Sequence, residues 1–253
     1  MDIARANVQG NNFIKYAKAM TPPAVWGWLY RKLVIKDIPH SHAYAPHYQP
    51  WREPQFMAEY ATIQNRTGCP IDSVYMLTEL ARKSMALPGD VLEAGVWKGG
   101  TARLLARMIK EQSATHPKQL YLFDSFEGMK HTSTTQDRHQ VGDFADTSLE
   151  SVQQFVGDDP AIHYRKGWVP ETFSGLEHLQ LCFAHIDLDL YQSIKDCLSF
   201  VYPRVSKGGV IVLDDYGYAS CPGAKQAADE FFSDKPEKVL PLHSAQGIVF
   251  ICC

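Results

Sequence analysis

Val91-Leu-Glu-Ala-Gly-Val-Trp-Lys-Gly-Gly-Thr101 reads as a short buried strand, a glycine turn and the opening of a helix. In doubly wound α/β folds that junction is where a ligand meets helix N–H groups. The dinucleotide pattern G-x-G-x-x-G needs glycine at 97, where Trp97 stands, and Glu93 sets a carboxylate where a pyrophosphate has to approach. S-adenosylmethionine reverses that sign argument. It has no phosphate and carries a sulfonium and an ammonium, which an acidic pocket opened by glycines can hold. Glu93, Gly95, Gly99 and Thr101 are therefore the first expected cofactor contacts.

Outward from this turn the chain alternates helices with short apolar strands, the sequence form of a parallel sheet with crossover helices. Strands are expected over 90–94, 119–123, 161–165, 181–186 and 209–213, with two more over 239–243 and 247–252. Helices fit from Asp72 or Ser73, as caps, to about 86, then 100–111, 148–156, 193–202 and 222–233, the last with Pro222 at its favoured first position. The second strand closes on Phe123-Asp124-Ser125, an acid suited to accept from ribose hydroxyls, and Gly167-Trp168 after the third strand offers an aromatic plane for a base. Two bland readings stand beside these: Asp124 as a helix cap and Trp168 as core filling.

The fourth strand runs into His185-Ile-Asp187-Leu-Asp189-Leu-Tyr191 and the fifth into Val210-Ile-Val-Leu-Asp214-Asp215-Tyr216. Strand ends of an open parallel sheet face the ligand crevice, so Asp187, Asp214 and Asp215 crowd together unless a positive charge lies between them. Oxygen donors of this kind suit a hard cation, Mg²⁺ foremost, with Mn²⁺ or Ca²⁺ as substitutes. Such a metal lowers the pKa of an acceptor hydroxyl and aligns it behind a methyl group. Asp189, two residues past Asp187, is the expected general base, and helix capping is the bland alternative for any one acid.

Residues 1–70 have another texture, with prolines breaking an aromatic-rich run; helices fit 13–20 and 24–33, and 38–54 reads as loop. They form an expected cap and acceptor-recognition segment before a methyltransferase domain over 71–253. Residues 129–147 are polar and aperiodic, the mark of a functional loop that orders over cofactor and acceptor. A formal net charge of -3 supplies no basic field for nucleic acid or an anionic membrane. Six cysteines without paired zinc spacing point to a reducing cytoplasm, and Cys252 and Cys253 are expected to be buried in the last strand. No stretch reads as a membrane span or secretory leader.

The runs 92–101, Phe123-Asp-Ser-Phe-Glu-Gly128, Gly167-Trp168, Ile186-Asp-Leu-Asp-Leu-Tyr191, Tyr202-Pro-Arg-Val-Ser-Lys-Gly-Gly209 and Leu213-Asp-Asp-Tyr216 together resemble the macrocin O-methyltransferase group. These are metal-dependent class I methyltransferases acting on sugars of macrolide and aminocoumarin antibiotics. The resemblance covers about residue 70 to the end. It implies a Rossmann-like, seven-stranded, mostly parallel sheet with helices on both faces and one reversed strand near the end. It also implies metal ligands at Asp187, Asp214 and Asp215, a base at Asp189, and cofactor contacts at Glu93, Gly95, Asp124, Ser125 and Trp168. A homo-oligomer acting on a small hydroxylated acceptor follows from it as well. Two other readings use the Asp187-x-Asp189 pair, a nucleotide-sugar glycosyltransferase and an aspartyl phosphatase, and neither accounts for Glu93 or Leu190-Tyr191. A cofactor-binding scaffold that transfers nothing is the non-catalytic alternative.

Overall fold

A computed structural model of the chain describes Val25 and residues 49–112, 117–133 and 135–252. Two compact units divide it, Met1–Glu53 and Pro54–Cys253. The expected helices over 13–20 and 24–33 lie outside the described residues except for Val25. Residues 54–70, read from sequence as part of the cap, belong to the second unit, where α1 (Pro54–Ala61) is a helix the sequence reading did not anticipate.

The sheet comes from β1 (Asp90–Ala94), β2 (Leu120–Asp124), β3 (Ile162–Lys166), β4 (Leu181–Ile186), β5 (Val205–Leu213), β6 (Leu240–Pro241) and β7 (Gly247–Phe250), in the order β3-β2-β1-β4-β5-β7-β6. All neighbours from β3 to β5 run parallel, while β7 pairs antiparallel with both β5 and β6 and is the reversed strand. This is the class I methyltransferase architecture expected from the sequence. The helices are α2 (Ile71–Ser84), α3 (Gly100–Gln112), α4 (Leu149–Val156), α5 (Tyr191–Val201) and α6 (Pro222–Phe231). Asp72 and Ser73 sit inside α2, whose cap position is Pro70 with no side-chain hydrogen bond, so the expected polar cap is absent. Ser148 does cap α4, its side chain accepting from Ser151 N.

Side-chain alternation along each strand sorts the core into two layers. Val91, Leu120, Leu122, Phe183, Val210 and Val212 pack against Leu77 and Ala81 of α2 and Ala102, Leu105 and Ile109 of α3. Leu92, Ala94, Phe123, Ala184, Ile186 and Leu213 face Ile194 and Leu198 of α5 and Ala224, Ala227 and Ala228 of α6. Each buried Leu, Ile or Phe is worth roughly 1.5–3 kcal/mol of removal from water, so both layers clamp the sheet and fix its carboxyl edge. The described cysteines are unpaired thiols, and Cys252 is exposed, contrary to the expected burial. The last ladder ends at Phe250, leaving Cys252 past the strand. No described helix is long and apolar enough to cross a membrane.

Candidate active site

The carboxyl ends of β1, β2, β4 and β5 open into one cavity of ≈ 290 Å³. Gly95, Asp124, Ser125, Gly167, Trp168, Asp187, Asp189, Asp214 and Asp215 all line it, so the structure brings together nine of the twelve residues singled out from sequence. Glu93, Gly99 and Thr101 do not reach it.

Gly95 ends β1 with φ +89, and a Cβ there would fall 1.7 Å from the Asp187 carbonyl oxygen. That closeness lets Asp187 N donate to Ala94 O at 2.8 Å and carries β4 straight into the acid segment. The turn after Gly95 is pinned by Asp124: one of its carboxylate oxygens accepts from Val96 N (2.7 Å) and Trp97 N (2.8 Å), the other from Phe126 N (2.6 Å). Three of a carboxylate's roughly four acceptor positions are thus taken by backbone, and the sequence reading missed this bracing duty. Trp168 faces the cavity with its indole Nε1 buried and without a hydrogen-bond partner.

Glu93 shares its strand face with Val91, which turns its carboxylate under the sheet and away from the cavity. There its Oε1 lies 2.8 Å from His185 Nδ1, both side chains wholly buried, and His185 Nε2 lies 3.6 Å from Asp214 Oδ1. Burial opposes the charged ring, but the Asp214 and Glu93 carboxylates outweigh it and hold His185 well above the usual imidazole range. Gly99 instead gives room to helix α4, since a Cβ would meet Val156 Cγ2 at 2.9 Å. Thr101 is buried in the first turn of α3.

At the acid segment, burial followed by the charges of Asp214 and Asp215 pushes the Asp187 carboxyl well above the ordinary range. Burial, then Asp189 and Asp214, does the same to Asp215. Burial also opposes charge on Asp214, yet His185 and the 2.8 Å bond from Gln246 Nε2 carry it below the ordinary carboxylate value. Among the described residues these four aspartates face two imidazoles, His185 beside Asp214 and His139 beside Asp189, an excess of acid of the kind that would suit a divalent cation. Ligand atoms of Cys69, Asp187 and Asp214 fall within 4.8 Å of one another, and those of His139, Asp189 and Cys221 form a second such group. Asp215 belongs to neither group, and its Oδ2 accepts from Asp189 N at 2.9 Å. Asp189 holds φ +59, a left-handed geometry that aspartate tolerates, and its Oδ1 lies 3.4 Å from His139 Nε2 on the cavity wall.

The 129–147 loop closes on itself through Gly142 N to Met129 O (2.8 Å) and Met129 N to Asp143 O (2.9 Å). Met129, His139 and Phe144 from it line the cavity. Its Asp137 Oδ1 accepts from Tyr191 N at 2.9 Å, the first turn of α5, in a space that glycine at 223 leaves open. Phe144 meets the Trp97 ring edge-on at 5.8 Å. His139, Cys221 and Cys69 escaped sequence reading. Only the His139–Asp143 spacing and the Cys-Pro pairs at 69–70 and 221–222 hinted at them.

The family model described as Macrocin-O-methyltransferase (TylF) matches residues 75–240. Among curated relatives, a tetracenomycin-C rhamnosyl 4'-O-methyltransferase of Streptomyces olivaceus is 31% identical over 149 residues, 54% of this chain and 57% of that one. Demethyldecarbamoylnovobiocin O-methyltransferase of Streptomyces niveus is 32% identical over 156 residues, 57% of this chain and 58% of that one. The chain therefore spans under two thirds of the length of these relatives. Among solved structures, the O-methyltransferase NovP superposes with a TM-score of 0.66 at 24% identity, covering 74% of this chain and 83% of that one, a likeness of fold.

Proposed function

The chain belongs to the macrocin-O-methyltransferase (TylF) family, and we propose that it is an S-adenosylmethionine-dependent O-methyltransferase acting, with a divalent metal, on a sugar hydroxyl of a small natural product. One observation carries the reading: four aspartates from two adjacent strand ends line the same cavity as the glycine turn and Trp168. The relatives' names, one specifying methylation of a rhamnosyl tetracenomycin and the other of demethyldecarbamoylnovobiocin, point to the acceptor class.

S-adenosylmethionine supplies an electrophilic methyl group on a sulfonium, a cation suited to an acid-lined wall. Gly95, Asp124, Ser125, Gly167 and Trp168 bind the cofactor in this reading, Trp168 offering its ring face and its unpartnered N–H. Glu93, Gly99 and Thr101 act at a remove. Glu93 orients His185 beneath Asp214, and Gly99 and Thr101 shape the helix start. Asp187, Asp214 and Asp215 would hold Mg²⁺, or Mn²⁺ or Ca²⁺ in its place, and the metal supplies Lewis acidity that lowers the acceptor hydroxyl's pKa. Asp189, on the cavity wall, takes the hydroxyl proton as general base. The 129–147 loop excludes water, and residues 1–70 recognise the acceptor. A homo-oligomer in the cytoplasm completes the reading.

The test supplies purified protein with S-adenosylmethionine, Mg²⁺ and a panel of deoxysugar glycosides and catechols, and follows the demethylated cofactor. Turnover is expected, with Asp187→Asn abolishing it while calorimetric cofactor binding survives. Undiminished turnover in excess EDTA removes the metal from the reading. Cofactor binding without turnover on any acceptor favours the scaffold, and calorimetric binding of nucleotide sugars alone overturns the class.

A further inference from the structure

A second ligand set of different chemistry lines the same cavity. His139 Nε2 and Asp189 Oδ1 are 3.4 Å apart, Cys221 Sγ and His139 Nε2 3.5 Å, and Cys221 Sγ and Asp189 Oδ1 3.3 Å. Zinc bonds of about 2.0 Å to nitrogen and oxygen and about 2.3 Å to sulfur, spread tetrahedrally, give ligand-to-ligand edges of roughly 3.3–3.6 Å. All three edges here agree with those values to within about 0.2 Å. The other ring nitrogen, His139 Nδ1, lies 2.9 Å from Asp143 Oδ2, the carboxylate–imidazole arrangement that orients metal-bound histidines. Cys221 is 2% exposed, the His139 and Asp189 side chains are 19% and 16% exposed, and all three line the cavity.

We propose that His139, Asp189 and Cys221 form a site for a borderline-soft divalent cation of the zinc class, whose fourth position faces the cavity. Thiolate and carboxylate together offset the double positive charge, and the displaced thiol proton leaves to solvent. The site differs in kind from the oxygen set of Asp187, Asp214 and Asp215, which suits hard cations. Its three ligands come from the 129–147 loop, the end of β4 and the start of α6. An ion there fastens the loop over the cavity. It also occupies Asp189, so on the methyl-transfer reading zinc is an inhibitor. The binding claim itself does not depend on that reading.

Metal-stripped protein titrated with Co²⁺ is expected to bind one equivalent with the near-ultraviolet sulfur-to-cobalt charge-transfer absorption of a thiolate ligand, and Zn²⁺ is expected to bleach it. Cys221→Ser is expected to lose the band, Asp143→Ala to weaken Zn²⁺ binding about 10–100-fold, and Cys69→Ser to keep the band. In parallel, Zn²⁺ is expected to slow tryptic cleavage after Lys130 and Arg138 in the loop. Absence of the band in folded wild-type protein overturns the site, as does a band that survives Cys221→Ser or vanishes with Cys69→Ser. If Cys221→Ser does not fold, His139→Ala on the exposed loop decides the matter in its place: unchanged Zn²⁺ affinity overturns the proposal.

Discussion

Replacing Gly95 with alanine tests how tightly β1 is seated against the acid segment, and Gly142 supplies the internal control. The two glycines hold nearly the same backbone angle, φ +89 and φ +95, but a Cβ at 142 meets nothing within 4 Å while one at 95 meets Asp187 O at 1.7 Å. Left-handed strain alone costs an alanine about 1–2 kcal/mol, so Gly142→Ala is expected to lose no more than that. At Gly95 the Asp187 carbonyl must also retreat by at least 1.3 Å (3.0 less 1.7) to reach the shortest tolerated contact. Forced overpacking of this order adds about 1–3 kcal/mol, for a total near 2–5 kcal/mol, a large part of the roughly 5–15 kcal/mol that stabilises a domain. Urea unfolding of the two variants side by side measures the difference directly. Equal midpoints for Gly95→Ala and Gly142→Ala would refute the claimed collision, whatever their common offset from wild type.

Other consequences are open to simpler tests. The Asp189 hydrogen bond, working against partial burial, together with Asp143 raises His139 from an ordinary 6.5 to about 9. Its folded value is raised, so its contribution to docking the loop is complete below pH 6.5 and is lost as pH climbs through about 9. Protection factors of the metal-free loop, which are the intrinsic hydrogen-exchange rate at each pH divided by the observed rate, should fall over that window in wild type and not in His139→Gln. Ser148→Ala removes the α4 cap and is expected to cost about 1 kcal/mol in thermal or chemical unfolding, and no loss at all would contradict the capping geometry. The Glu127 carboxyl, paired with Lys130 and Lys166, is held at about 2, so its small stabilising effect should vanish only as pH falls through about 2. Carboxyl chemical shifts read this directly, and a Glu127 midpoint near 4.5 would dissolve the pairing.

The strands that were legible in the sequence are those whose ends are chemically abrupt. Asp90–Ala94 stops at a glycine and Leu181–Ile186 at an acid, and both are found with the bounds read from sequence. By contrast β5 begins at Val205, four residues before the expected 209, because Ser206-Lys-Gly-Gly looks like a turn. The ladder absorbs it through an irregularity, Leu181 pairing with Val205 and Phe183 with Val210. Glu93 was assigned to the cavity on charge, although period-two alternation already sets it on the face of Val91, opposite Ala94. The aspartates were legible because an apolar run that stops at acids marks the point where a buried strand reaches the edge of its sheet. His139 and Cys221 were not, since 82 positions separate them and no local period announces a contact between a loop and a helix start.

The bond from Tyr191 N to Asp137 Oδ1 gives the loop a second employment. Helix α5 begins behind Leu190, which has no side-chain oxygen to offer its first amides, so the missing cap is borrowed from a segment more than fifty positions upstream. Lifting that segment from the cavity uncaps the helix, at a cost of about 1 kcal/mol. On the proposed reading of the loop as a cover, entry to the site and the firmness of the helix that follows Asp187 and Asp189 are thus joined: a protein open for exchange would also be one whose acid-bearing edge has slackened.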